Sequence, residues 1–361
     1  MESGPSMLAT PPFEIYFGGP DQPPGRLRDI LADCIAAVPA GGAIDWVTYY
    51  FRDRRLAAEL LRAHHRGVKV TVTLEGHPRT PDANDKVVAM LAGPDGLGKG
   101  FRTVSVAGLP TPWGNLLKPR LHEKLYCFSH PKPVAFIGSF NPSGDDPEER
   151  PDIIDEIGDQ DRGHNVLVGL KDLSLVSGLV SHARWVNRAR HGLFGRFFTY
   201  GNHTLRAGET EVHFLPRLRP HVVARFLGSC GEGSRIRIAA SHLRGGSAIK
   251  VITGLARRGA ALEILAEPTL RRVPAVVEQH LTSTGIPFRR VNHPGGMPMH
   301  HKFVLIEKNS ARWVVFGSYN WTTRSFWLNQ EICAISADSE LFNAFAERWE
   351  VLENQKVTQD E

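Results

Sequence analysis

Two short residue patterns occur twice in this chain, in the same order and at nearly the same spacing. That repetition limits the fold more than any bulk property does. Leu121-His122-Glu123-Lys124 precedes an apolar run ending in Gly138-Ser139-Phe140-Asn141, and Met299-His300-His301-Lys302 precedes one ending in Gly317-Ser318-Tyr319-Asn320. The flanks repeat as well. Ile44-Asp45-Trp46-Val47-Thr48-Tyr49 answers to Ile236-Arg237-Ile238-Ala239-Ala240-Ser241, the run from Leu56 to Gly67 to that from Ile249 to Gly259, and the run from Val68 to Leu74 to that from Ala260 to Ala266. Glu75 and Glu267 close the last pair. The helical runs place apolar residues at i, i+3 and i+4 and stop at glycine, while the apolar runs on either side predict strands. Strand–helix–strand units predict parallel pairing with right-handed crossovers. The chain is expected to be a duplicated α/β fold, residues 1–200 forming one half and 201–361 the other, with a pseudo-two-fold and a site at the interface.

Each His-x-Lys opens an apolar strand, so His and Lys fall on one face of it. Each Gly-Ser-x-Asn ends a second strand, where glycine permits a turn or close backbone approach and Ser and Asn supply short hydrogen-bonding groups. These residue types suit phosphodiester cleavage. One imidazole attacks phosphorus, a second protonates the leaving oxygen, and lysines and asparagines hold the non-bridging oxygens. Neither half alone has two such histidines.

Composition narrows the alternatives. The net charge of +5 fits an anionic substrate without singling out nucleic acid. Cys34, Cys127, Cys230 and Cys333 include no CxxC pair, which argues against a zinc ribbon or thioredoxin-like site. Adjacent histidines such as His64-His65 diverge rather than chelate, so no metal or other cofactor is expected. Met1 to Pro12 lacks a basic segment followed by an apolar one, and no apolar run approaches membrane-spanning length. The expectation is a reduced cytoplasmic protein whose membrane contact is peripheral, and a monomer, since both half-sites lie in one chain.

The paired motifs resemble the HKD signatures of the phospholipase D superfamily, over nearly the whole chain from about Phe13 to Leu352. The second half resembles it most, through His300, Lys302, Gly317-Ser318-Tyr319-Asn320, Thr322-Thr323-Arg324-Ser325 and Asn329-Gln330-Glu331. The resemblance implies a duplicated α/β/α sandwich, with two mixed sheets related by a pseudo-two-fold and the site between them. It implies His122 as nucleophile, His300 as general acid and base, and Lys124, Lys302, Asn141 and Asn320 as phosphate ligands. Ser139 and Ser318 add hydrogen bonds, and Glu331 orients a histidine. The family's motif has Asp five residues after Lys, where this chain has Ser129 and Glu307. Glu307 is placed near His300 with Glu331, as a substrate-side group. The first half's counterpart of Asn329-Gln330-Glu331 reads Asn165-Val166-Leu167, without a carboxylate, which leaves the partner of His122 open.

Other segments bear on the substrate. The loop from Gly108 to Pro119 carries Trp113, suited to a lipid pocket or bilayer interface, and Phe326-Trp327-Leu328 is a second candidate wall; core packing is the simpler reading of both. An acidic insert, Gly144 to Asp161, follows Asn141, overhangs the site and disfavours a polyanion. The first reading is a phosphodiester hydrolase or transphosphatidylase acting on phospholipid head groups. The second is a nuclease of the same superfamily, and the third a non-catalytic lipid- or nucleic-acid-binding relative.

Overall fold

The computed structural model describes residues 12–105, 109–110, 116–117, 119–144, 156–189, 203–217, 222–292 and 296–355. The first half runs β1 (Phe13–Gly18), α1 (Arg26–Ala37), β2 (Ala43–Thr48), α2 (Arg54–His65), β3 (Lys69–Glu75), α3 (Asp85–Ala92), β4 (Phe101–Val104), a short β5–β6 pair (Leu109–Pro110, Leu116–Leu117), β7 (Lys124–Phe128), β8 (Val134–Gly138), β9 (Asn165–Leu170) and α4 (Leu173–Arg188). The second half runs β10 (Thr204–Ala207), β11 (Thr210–Leu215), α5 (Val222–Leu227), β12 (Ser234–Ala240), α6 (Ser247–Arg257), β13 (Ala261–Ala266), α7 (Ala275–Ser283), β14 (Phe288–Arg290), β15 (Lys302–Lys308), β16 (Ala311–Gly317), α8 (Thr323–Trp327), β17 (Glu331–Ser336) and α9 (Ser339–Glu353).

The two large sheets share one topology. The first has the order β1-β9-β8-β7-β2-β3-β4, and the second β11-β17-β16-β15-β12-β13-β14 with β10 added at its edge. Within each, the three strands ending in β4 or β14 are parallel and the rest antiparallel, so both sheets are mixed. The expected duplicated α/β architecture is present. Helix α2 ends just before Gly67, and α6 before Gly259, both in the left-handed region at φ 91° and 82°. That conformation costs a glycine little and ends each helix where the next parallel strand begins.

Layering follows from strands that are apolar on both faces. All five residues of β7 and of β8 are buried, as in a sheet covered on both sides. One core packs α1, α2 and α3 on the outer face of the first sheet, and another packs α5, α6 and α7 on that of the second. A third core spans both halves, joining Leu125, Ile137, Val166 and Leu179 to Phe214, Phe303, Phe316, Phe345 and Trp349.

Polar links cross this shared core. Arg348 on α9 donates to the Gly18 carbonyl and to both carboxylate oxygens of Asp21 in the first half, and to Nε2 of His301 in its own half. In the first half Glu123 faces His182 at 2.9 Å, and His182 stacks on Phe214 of the second half at 3.7 Å. The middle residues of the two His-x-Lys motifs, Glu123 and His301, are thus anchored in the interface behind the site.

Candidate active site at the junction of the halves

The histidines emerge where the two halves exchange backbone. Leu121 bridges Gln330 and Met299 bridges His164. The His122 amide donates to the Gln330 carbonyl at 2.8 Å, and the His300 amide to the His164 carbonyl at 2.9 Å. Each His-x-Lys entry is therefore hydrogen-bonded to the opposite half. Glu75 and Glu267, at or just beyond the ends of β3 and β13, hold the preceding peptides: their carboxylates accept from the amides of Leu121 at 2.6 Å and Met299 at 2.7 Å.

The imidazoles are fixed by the same exchange. Nδ1 of His122 lies 2.7 Å from Oε2 of Glu331, and Nδ1 of His300 lies 2.9 Å from Oδ1 of Asn165. Glu331 is fully buried and also accepts from Ser318, Ser325 and Asn329 at 2.6, 2.8 and 3.2 Å. Asn165 accepts from Ser139 at 3.1 Å and gives its amide hydrogens to Gln160. With Nδ1–H donated to these partners, each neutral ring keeps its lone pair on Nε2. Both histidines line one cavity of about 490 Å³, together with Asn141 and Asn320.

Several expectations change here. Glu331 orients His122, not the histidine of its own half, which settles the partner left open above. Its first-half counterpart is Asn165, the residue that opens β9 as Glu331 opens β17, rather than Leu167 two positions on. Ser139 and Ser318 face these partners rather than the cavity. Glu307 is not at the site. It sits toward the far end of β15, about 16 Å along the strand from Lys302, and pairs with Arg237 at 3.2 Å. Ser129, at the matching end of the first half, accepts from the Ala43 amide. Trp113 lies outside the described residues. Phe326 is buried in the second half's outer core and Trp327 is 41% exposed; neither lines the cavity.

Lys124 and Lys302 lie beneath the cavity wall and donate to the carbonyls of His122 and His300, both at 2.9 Å. Gly138 and Gly317 permit the close strand approach expected of them, since a Cβ on either would strike the carbonyl oxygen of Val166 or Ile332.

Burial governs the charges. It holds His122 down at about 4 despite Glu331, and Lys124 down at about 7. Burial first, and then the ammonium of Lys124, keep Lys302 well below its ordinary value, and burial with Lys302 and Arg272 does the same to His300. Two buried amines held below their ordinary values are groups to which a nearby anion would restore protons.

The sequence reading missed much of the wall. Tyr49 packs on His122 at 5.2 Å and its hydroxyl accepts from Arg79 and Arg120. His242, Arg244, Arg272 and Arg324 line the cavity too. Tyr49 and His242 stand just beyond β2 and β12, where open α/β sheets place ligands, and this was the available signal. Of the acidic insert, residues 145–155 lie outside the described residues; Glu156 lines the cavity, among arginines. Among the described residues no group of three metal-ligating side chains occurs, and no helix is long and apolar enough to cross a membrane.

A family model, the PLD-like domain of cardiolipin synthase, matches residues 38–146 and 224–352, taking in both His-x-Lys motifs. This chain belongs to the phospholipase D superfamily. A 70-residue stretch, 19% of the chain, is 39% identical to the mitochondrial cardiolipin hydrolase of Homo sapiens, and it spans only 26% of that relative's length. In fold, this phospholipase D relative is similar to the phosphatidylserine synthase of Haemophilus influenzae Rd KW20, with a TM-score of 0.64 at 12% identity, covering 95% of this chain and 86% of the other. It is also similar to the polyphosphate kinase of Porphyromonas gingivalis, with a TM-score of 0.59 at 11% identity, covering 97% of this chain and 53% of that one. Members of this superfamily are phosphodiesterases and phosphatidyltransferases.

Proposed function

We propose that this chain is a phosphodiester hydrolase or transphosphatidylase that acts on phospholipid head groups through a covalent phosphohistidine. The observation that carries the reading is that His122 and His300, one from each half, line a single cavity over two buried lysines, each ring held through Nδ1 by the opposite half.

Nε2 of His122 attacks phosphorus, and the bond from phosphorus to the leaving oxygen breaks as His300, entering the step as the imidazolium that the bound anion favours, gives that oxygen its Nε2 proton. Water or an alcohol then attacks the phosphohistidine, losing its proton to His300 and returning His122. The partners suit these roles. An N-phosphorylated imidazole bonded through Nδ1–H is cationic, and the Glu331 carboxylate offsets that charge for the life of the intermediate. The neutral amide of Asn165 orients His300 without tightening its hold on the proton. Lys124, Lys302, Asn141 and Asn320 hold the non-bridging oxygens. In this reading a monomer suffices, working from the cytoplasm at a membrane surface.

The test is incubation with mixed phospholipids and a primary alcohol, and separately with single- and double-stranded DNA. Phosphatidyl-alcohol with phosphate trapped on His122 is the expected result. DNA cleavage with lipids untouched overturns the lipid assignment in favour of a nuclease, a second reading that the arginines of the cavity favour. Turnover of neither, with no trapped phosphate, overturns the catalytic reading.

A further inference from the structure

The cavity wall carries more positive charge than one phosphodiester can match. Arg79, Arg120, Arg244, Arg272 and Arg324 line it, against the carboxylate of Glu156. Arg272 is buried, 3.5 Å from Glu267, and donates to the carbonyls of Glu156 and Ile157. Glu156 is shared between Arg79 at 3.4 Å and Arg271 at 2.7 Å. The others have no carboxylate partner among the described residues. Arg120 donates to the Tyr49 hydroxyl and the His77 carbonyl, both neutral. Arg244 and Arg324 are exposed, and neither guanidinium finds an acceptor among the described residues. These groups sense one another: burial, and then Arg120, Arg79 and Arg244, hold Arg324 below its ordinary value. Like charges gathered in a concave, partly desolvated wall oppose folding unless a ligand neutralises them. The lysines and asparagines beneath the histidines already match the single charge of a phosphodiester, so this set is surplus to it.

We propose that Arg120, Arg244 and Arg324 form a second anion subsite, which takes a further phosphate carried by the substrate a few bonds from the phosphodiester held at His122 and His300. The inference rests on the phosphodiesterase reading and narrows its substrate class to small phosphodiesters bearing a second phosphate, such as a phospholipid with a phosphorylated head group.

Calorimetric titration of the full chain with glycerol 1-phosphate and with glycerol 1,3-bisphosphate, at fixed ionic strength, tests it. Charge-assisted hydrogen bonds to the second phosphate are expected to make the bisphosphate bind about 10-fold more tightly or better. In the double variant Arg244→Gln/Arg324→Gln the bisphosphate falls to the affinity of the monophosphate, whose own binding is unchanged. Arg62→Gln, which removes an exposed cation paired with Glu59 elsewhere on the surface, leaves both affinities alone. Equal affinity of the two ligands for the wild type, or equal loss of both in the double variant, overturns the subsite. Oligothymidylate that displaces the bisphosphate with affinity rising with chain length overturns the restriction to small substrates. The parent reading fails separately, if the wild type turns over no phosphodiester whatever the ratio of affinities.

Discussion

Nδ1 of His122 meets Oε2 of Glu331 at 2.7 Å across the junction of the halves, while His300 meets only the amide oxygen of Asn165 at 2.9 Å. The duplicated site is therefore symmetric in position and asymmetric in charge. Glu331→Gln keeps an acceptor for His122 but removes the negative charge, so phosphohistidine formation is expected to slow by about 10²-fold or more. Asn165→Asp places a carboxylate on His300 and favours its protonated form, moving the alkaline limb of the rate profile to higher pH. Single-turnover kinetics and pH profiles of the two variants check both outcomes.

Removing either ring separates the two steps. His300→Ala is expected to lower turnover by about 10²–10⁴-fold, the usual range for losing a general acid. It also lets phosphoenzyme accumulate on substrates whose leaving group needs no proton. His122→Ala forms no phosphoenzyme at all. Both variants keep the wild-type circular dichroism, because each ring lines the cavity rather than joining secondary-structure elements. Retained turnover in either variant sinks the two-histidine scheme.

The lysines make stability depend on pH. Burial lowers Lys124 from 10.5 to about 7, so between those values the unfolded chain binds a proton that the folded chain does not. Stability from this group is complete above 10.5 and is lost as pH falls toward 7. Stability in phosphate-free buffer is expected to rise from pH 7 to 8.5, and the rise to shrink in Lys124→Met. A phosphate analogue bound between Lys124 and Lys302 restores their protons. Calorimetry of its binding at pH 8 in buffers of different ionisation enthalpy is expected to show net proton uptake; release would contradict the placement of these groups.

Arg348 ties Asp21 and Gly18 to His301 from a buried position. Arg348→Met strands those partners and is expected to cost about 3 kcal/mol. Denaturant melts read the loss as a lower midpoint with unchanged slope.

Glu75 and Glu267 act through backbone. Glu75→Ala leaves the buried Leu121 amide without its acceptor, at about 1–3 kcal/mol, and lets the His122 entry shift. Turnover is expected to fall more than substrate affinity. Glu75→Gln, which retains an oxygen for that amide, recovers most of both. Steady-state kinetics with parallel thermal melts distinguishes the outcomes.

The repeat was legible because it is local. Apolar periodicity, helix-stopping Gly67 and Gly259, and the two His-x-Lys and Gly-Ser-x-Asn patterns depend on neighbours a few residues apart, and they determined the duplicated α/β fold and the histidines, lysines and asparagines of the site. What the sequence did not determine was pairing across the junction. Glu331 stands close in sequence to Asn320 and the second motif, yet its carboxylate turns to His122, because the residues just before β9 and β17 pair with the strand entries of the opposite half. Glu307 shares a strand with Lys302, but the rise per residue carries it to the other end of the sheet. Tyr49, Arg120, His242 and Arg244 belong to no motif, and Arg324 lies in a motif segment that assigned it no role. Only the folding of two sheets against one another brings them to one wall, where their charges act together.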